Sequence, residues 1–290
     1  MTNPETIAVT GATGQLGRLV LADLSRLTPN ARLIGLVRNP AAAKALSDRG
    51  VELRAADYED AASVAAALAG VDKVLLISSS EIGRRVPQHR NVIEAAKKAG
   101  VKLLAYTSIL RADDNPMALA AEHRQTEALI RASGLPFVFL RNGWYTENYT
   151  GNLAAAVQHG AVLGSAGNGR ISSAARADFA AAAAAVLASR ESQAGKIYEL
   201  AGDGAFTLAE YAAEIAKQSA KAVVYKNLPE ADYKAALQTV GVPEAFAQIF
   251  AESDAKAAHD VLYDTGGQLS RLIGRPTTTM AQSVKAALAL

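Results

Sequence analysis

Near the start of the chain, Gly11-Ala12-Thr13-Gly14-Gln15-Leu16-Gly17 has the composition and spacing of a turn that binds phosphate. The run Ile7–Thr10 before it reads as a strand and Gln15–Leu27 behind it as a helix, which is the context such a turn requires. Gly11 permits the tight turn, Gly14 lets the backbone approach a pyrophosphate, and Gly17 lets the helix pack against the sheet. Backbone N–H groups at the helix start then face the anion. The chemistry this predicts is dinucleotide binding.

The end of the next strand decides between dinucleotides. A site for NAD places Asp or Glu about 20 residues on, to accept from the adenosine ribose hydroxyls. This chain reads Val37-Arg38-Asn39 there, with no acid. Arg38 can pair with a 2′-phosphate, and the missing carboxylate removes the repulsion that would exclude one. The expected cofactor is therefore NADPH; the plainer reading of Arg38 is an ordinary exposed arginine. Asp57 closes a third strand where an adenine would lie, either accepting from its amino group or simply leading the next helix. Ser78, Ser79 and Ser80 end a fourth strand, where their hydroxyls could line the ribose side or form a turn.

A regular alternation of elements must position these residues. Strands are expected at Ile7–Thr10, Arg32–Val37, Val51–Ala55, Lys73–Ser78, Leu103–Thr107 and Phe137–Leu140. Helices are expected between them at Gln15–Leu27, Ala41–Arg49, Ala61–Ala69, Val86–Ala99 and Leu119–Ala132. Strict alternation implies parallel strands joined by right-handed crossovers, hence an α/β fold with a doubly wound parallel Rossmann sheet. After Arg141 the rhythm loosens. Gly160, Gly164, Gly167 and Gly169 punctuate a loop-rich stretch, and an alanine-rich helix begins near Asp178. Lys196–Ala201 and Val223–Asn227 read as strands around a helix, Thr207–Ser219, that Thr207 could cap. A dinucleotide-binding domain is thus expected over residues 1–150, with part of 170–205 returning to it. Most of 151–290 forms a smaller C-terminal α/β domain over the C-terminal edge of the sheet, and binds the acceptor.

Composition narrows the partners. Of 290 residues 50% are hydrophobic and 20% charged, with net charge +2, enough for a large core and without a basic stripe for nucleic acid. The chain has 0 Cys, so disulfides, thiol nucleophiles and cysteine-held metals are excluded, and no metal site is expected. The longest apolar run, Phe179–Ala188, is shorter than the roughly 20 residues a membrane span takes. No basic and then apolar leader precedes Ile7. A soluble, cytoplasmic chain with no nucleic-acid or membrane partner is expected, and monomer and homodimer both stay open.

With these residues placed, the chain resembles the atypical short-chain dehydrogenases of the NmrA-like family. The likeness rests on the glycine turn, Val37-Arg38-Asn39-Pro40 and Leu76-Ile77-Ser78-Ser79-Ser80-Glu81. It continues through Gln88-His89-Arg90-Asn91-Val92-Ile93, Leu140-Arg141-Asn142-Gly143-Trp144-Tyr145 and Leu272-Ile273-Gly274-Arg275-Pro276-Thr277-Thr278-Thr279, so it spans nearly the whole chain. The glycine turn is generic to the superfamily; the Ser-Ser-Ser-Glu and Arg-Asn-Gly-Trp-Tyr segments are more specific. The resemblance implies an oxidoreductase that reduces small-molecule quinones with NADPH. It implies cofactor contacts from Gly11, Thr13, Gly14, Gln15 and Leu16, from Arg38, and from Ser78–Ser80. It implies further contacts from Gly143, Trp144, Tyr145, Thr146, Glu147 and Asn148. Relatives that reduce triphenylmethane dyes, and regulatory members that bind the dinucleotide as redox sensors, keep two alternatives open.

Ordinary members of that superfamily carry Tyr-x-x-x-Lys on the helix after the fifth strand. The tyrosine gives a proton to the substrate oxygen, and the lysine lowers its pKa. The corresponding helix of this chain reads Ala121-Glu122-His123-Arg124-Gln125-Thr126-Glu127, so His123 and Glu127 occupy that spacing. An anion at 127 would raise, not lower, a neighbouring acid's pKa. This argues against an epimerase or carbonyl reductase, whose alkoxide needs a positioned acid. It fits quinones, because hydride addition leaves a phenolate-like anion whose conjugate acid has a pKa of about 10, within reach of water. No side chain is therefore assigned as the catalytic acid. Candidates for the acceptor pocket are Trp144 and Tyr145, which could stack a planar quinone, although Trp144 could equally pack a domain junction. Asn142 could bond a carboxamide or quinone oxygen, Tyr106 and Ser108 could orient the acceptor, and His123 could give a proton or serve only its surroundings.

Overall fold

The alternation of strands and helices builds a parallel sheet in the computed structural model, which describes residues 4–289. The first elements are β1 (Thr6–Val9), α1 (Gln15–Leu27), β2 (Arg32–Val37), α2 (Lys44–Ser47), β3 (Glu52–Ala55) and α3 (Ala61–Ala67). They are followed by β4 (Lys73–Leu76), α4 (Arg85–Ala99), β5 (Leu103–Ile109), α5 (Ala118–Ser133) and β6 (Phe137–Asn142). Then come α6 (Glu147–Thr150), α7 (Leu153–His159), β7 (Ala161–Gly164), α8 (Arg176–Ala188), β8 (Ile197–Leu200), α9 (Leu208–Ser219) and β9 (Val224–Asn227). Four helices close the chain: α10 (Glu230–Thr239), α11 (Glu244–Ala257), α12 (Gln268–Ile273) and α13 (Met280–Leu288).

The main sheet has the order β3-β2-β1-β4-β5-β6-β8, and the pairs from β3 to β6 are parallel. Its order reverses between β1 and β4, which is where an open α/β sheet leaves a crevice at the carboxyl ends of its strands. Ile7, Ala8, Val9, Ile34, Val74, Leu75 and Leu76 are wholly buried, so the strands beside this crevice have a rigid apolar base. The chain divides into two compact units. The first comprises the residues through Ala112, Glu122–Asn142 and Ala177–Tyr198; the second comprises Asp113–Ala121, Gly143–Arg176 and the chain from Glu199 onward.

Several boundaries differ from the sequence reading for identifiable reasons. The helix expected over Ala41–Arg49 is a 3₁₀ turn, Pro40–Ala43, followed by the single α turn of α2. Asn39 caps that 3₁₀ turn by accepting from the Ala41 amide at 3.1 Å. The stretch of glycines read as loop contains β7, which pairs in parallel with β9. Thr207 does cap α9, in a capping box with Glu210.

Within the second unit, Asp254 of α11 is buried and accepts from the Ser165 amide at 3.2 Å. Burial pushes its carboxyl from the usual 3.8 up to about 7, against the lowering effect of the Ser165 amide and the Tyr149 hydroxyl. Its folded pKa is thus raised, and between those values the fold holds a proton that the unfolded chain releases. Stability is therefore lost as pH rises through that window, and the loss persists above it. Asp254→Asn keeps an acceptor for Ser165 and cannot ionise. It is expected to raise the Tm by roughly 3–6 °C at pH 8 and by less than half as much at pH 5. Thermal melts of both proteins at the two pH values check this, and equal shifts at both would refute it.

Candidate functional site

The glycine turn owes its shape to backbone crowding. Gly11 takes a φ of +57°, open to glycine without strain. A Cβ on Gly17 would stand 2.4 Å from the Gly11 carbonyl, and one on Gly14 3.1 Å from the same oxygen. The Gly14 amide donates to Gly11 O at 2.9 Å, which closes the turn and aims α1 at the crevice. No side chain caps α1, and no acidic residue sits in its first turn. Its leading N–H groups and the positive end of its dipole are therefore left for an external anion. The cradle fits a pyrophosphate.

Around this turn the first unit forms a cleft of about 310 Å³. Ten of the residues read from the sequence line it together: Gly11, Thr13, Gly14, Gln15, Leu16, Arg38, Asp57, Ser78, Ser79 and Ser80. Arg38 is exposed at the end of β2, and no carboxylate pairs with it among the described residues. Asp57 spends Oδ1 on the Glu59 amide, while the helix cap that could have explained it is supplied by Asp60. A larger groove, about 1000 Å³, opens at the opposite ends of the strands. Its Lys73 and Lys102 are paired with Glu5 and Asp72, so those charges are already spent. Among the described residues, no group of three or more His, Asp or Glu is placed to hold a metal ion.

The segment after β4 is not strand, as Lys73–Ser78 would have it. It is a turn whose amides are taken by side chains from elsewhere in the fold. Ile77 N–H donates to Thr10 Oγ1, Ser78 N–H to Thr107 Oγ1 and Ser79 N–H to His89 Nε2, each at 2.9 Å. The Tyr58 hydroxyl donates to the Ile77 carbonyl and also bonds the Thr10 hydroxyl. Sequence reasoning misses all four supports; the signal for one of them is His89 within the Gln88–Ile93 segment.

Three candidates for the acceptor pocket are buried within the first unit. Tyr106 is 0% exposed, lies in the core of the sheet, and bonds His123 Nδ1 through its hydroxyl at 2.8 Å. His123 is buried with it, and burial holds its imidazole well below its usual pKa, with Arg85 and His89 acting in the same direction. Neither lines the cleft. Ser108 is buried and donates to Glu127 Oε1 at 2.6 Å. The anion at 127 is itself paired. Arg141 grips it in a bidentate pair, Nε to Oε1 at 2.9 Å and Nη2 to Oε2 at 2.7 Å, and both side chains are only 4% exposed. Asn142 is buried at the end of β6, and its Oδ1 has no partner among the described residues.

The remaining residues read from the sequence belong to the second unit. Gly143 N–H donates to Leu200 O at 2.7 Å, and a Cβ at Gly143 would meet that same oxygen at 3.0 Å. Trp144 is buried, and Tyr145 lies under the Arg176 guanidinium, 4.6 Å from its ring centroid. The Thr146 hydroxyl bonds Ser173 Oγ, and the Glu147 carboxylate accepts the Arg176 amide at the start of α8. These two side chains hold the fold of their own unit. Asn148 N–H donates to Tyr145 O at 3.0 Å.

This geometry has close counterparts among known proteins. A family model described as NAD(P)H-binding matches residues 11–190. Quinone oxidoreductase 2 of Escherichia coli (strain K12) is 55% identical over 278 residues, 96% of this chain and 97% of that protein. The crystal structure of an NADPH-dependent quinone oxidoreductase from Escherichia coli complexed with NADPH superposes with a TM-score of 0.94 at 54% identity, over 97% of this chain and 99% of that one. The Citrobacter sp. triphenylmethane reductase complexed with NADP(H) gives a TM-score of 0.92 at 38% identity, over 97% of this chain and 99% of that one. By the extent of the family match and of the sequence identity, the chain belongs to the NAD(P)H-binding family.

Proposed function

We propose that this chain is an NADPH-dependent quinone oxidoreductase that works in the cytoplasm, using a two-electron reduction and no Tyr/Lys pair. The observation that carries this reading is the fate of the two positions where that pair would stand. His123 is buried against Tyr106, and Glu127 is locked to Arg141 and Ser108. Neither can give a proton to a substrate in the cleft. A site of this kind suits an acceptor that needs no protein acid, and a quinone is one because water can protonate the phenolate-like product. NADPH, when bound, supplies the hydride. The α1 amides and Gly11–Gly17 would hold its pyrophosphate, and the unpaired Arg38 its 2′-phosphate. The relative from Escherichia coli, 55% identical over nearly the whole chain, supports the choice of quinones. A triphenylmethane cation makes the same modest demand, and the relative from Citrobacter favours it as a second acceptor class.

Steady-state NADPH oxidation with a panel of quinones, beside simple ketones and aldehydes, tests the reading. Quinone-dependent turnover with none on the carbonyls is expected. Tight dinucleotide binding without quinone turnover would replace the enzyme with a redox sensor.

A further inference from the structure

The geometry points to His89 as the positioning residue that sets the Ser78–Ser80 turn for the nicotinamide riboside half of the cofactor. This rests on the NADPH reading above. Strand order gives the direction: with the pyrophosphate on the turn after β1 and Arg38 at the end of β2, the adenosine half lies toward β2 and β3. The other half must then run over the end of β4, where the serine turn stands.

What that turn can offer is decided by its own backbone. Three consecutive N–H groups, from Ile77 to Ser79, point into the protein and are taken by Thr10, Thr107 and His89. No group among the described residues bonds the Ser78 carbonyl or the Ser78 and Ser80 hydroxyls, and both residues line the cleft. The turn therefore presents oxygens and withholds amides. Such a surface suits a ligand with donors to offer, such as ribose hydroxyls or a carboxamide.

His89 can hold this arrangement in one protonation state only. Ser79 N–H needs a lone pair on Nε2. On the other side, Nδ1 lies 2.9 Å from Thr126 Oγ1, whose own proton goes to the Glu122 carbonyl at 2.9 Å. Thr126 must accept, so Nδ1 carries the hydrogen and the ring is neutral. Burial, aided by the Arg85 charge, pushes the imidazole down to about 3, which keeps it so. Arg85 completes the clamp by donating from Nε to the Ser79 carbonyl at 2.5 Å.

The test reads binding rather than turnover, so it stands whether or not quinones are reduced. Nitrogen NMR of the native protein at pH 7 should show His89 as the neutral Nδ1–H tautomer; an Nε2–H ring or an imidazolium would overturn the assignment. His89→Leu removes the acceptor and should weaken NADPH about tenfold by fluorescence titration. Adenosine 2′,5′-bisphosphate, which carries only the adenosine half, should bind within twofold of the native protein. His89→Gln, which returns an acceptor near Nε2, should recover most of the loss. Thr107→Val frees the neighbouring amide from a different strand and should reproduce the same split between the two ligands. Equal weakening of both ligands, or none in either variant, would reduce His89 to a core residue.

Discussion

Arg38→Ala is expected to raise the Kd and KM for NADPH by roughly 10- to 100-fold, about 1.4 to 2.8 kcal/mol, while NADH changes by less than about twofold. Arg38 follows the buried Val37 at the end of β2, and its side chain stands exposed at the cleft with no carboxylate partner among the described residues. Nothing in the protein has to be broken for it to meet a phosphate. Asp57, the acid that lines the same cleft, has Oδ1 occupied by the Glu59 amide. Arg38→Lys should fall between the native protein and the alanine variant, because an ammonium keeps the charge but loses the planar fork. Parallel titrations with the two nucleotides decide the matter. If both weaken equally, Arg38 supports the fold of the cleft and does not read the 2′-phosphate.

Arg38 shows which features a sequence displays openly. Its meaning depends on the strand before it and its distance from Gly11, and both are local. The glycine turn is legible for the same reason, since its crowding against Gly11 O involves only its own neighbours. Legibility fails where the partner is distant in the chain. The apolar run Lys73–Ser78 reads as strand to its end, but Thr10, Thr107 and His89 capture three amides that would otherwise join the sheet. β7 is four residues bounded by glycines, too short for periodicity to register, and it exists because β9 pairs with it. Tyr106 was placed by its position near a strand end, yet all seven residues of β5 are buried, so the end of this strand offers no open face. His123 and Glu127 have the spacing of a catalytic pair, but spacing cannot show what each side chain meets.

Glu127→Ala is the substitution expected to cost most, about 3–5 kcal/mol, seen as a fall in Tm of roughly 6–15 °C. Removing the carboxylate strands the Arg141 guanidinium, 4% exposed, and deprives the Ser108 hydroxyl of its acceptor. Replacing the whole pair, as in Glu127→Leu with Arg141→Met, should recover a large part of the loss, because the desolvation of both charges disappears together. Quinone reduction should survive in any variant that stays folded, since neither residue lines the cleft. Rebuilding the reductase pair as His123→Tyr with Glu127→Lys should therefore fail in a specific way. A lysine at 127 sets one buried cation against Arg141, and a tyrosine at 123 faces the Tyr106 hydroxyl in the core. Loss of stability with no reduction of simple carbonyls is the expected outcome, measured by thermal melts and NADPH oxidation with an aldehyde. Carbonyl turnover in a stable double variant would mean that these positions reach the substrate after all.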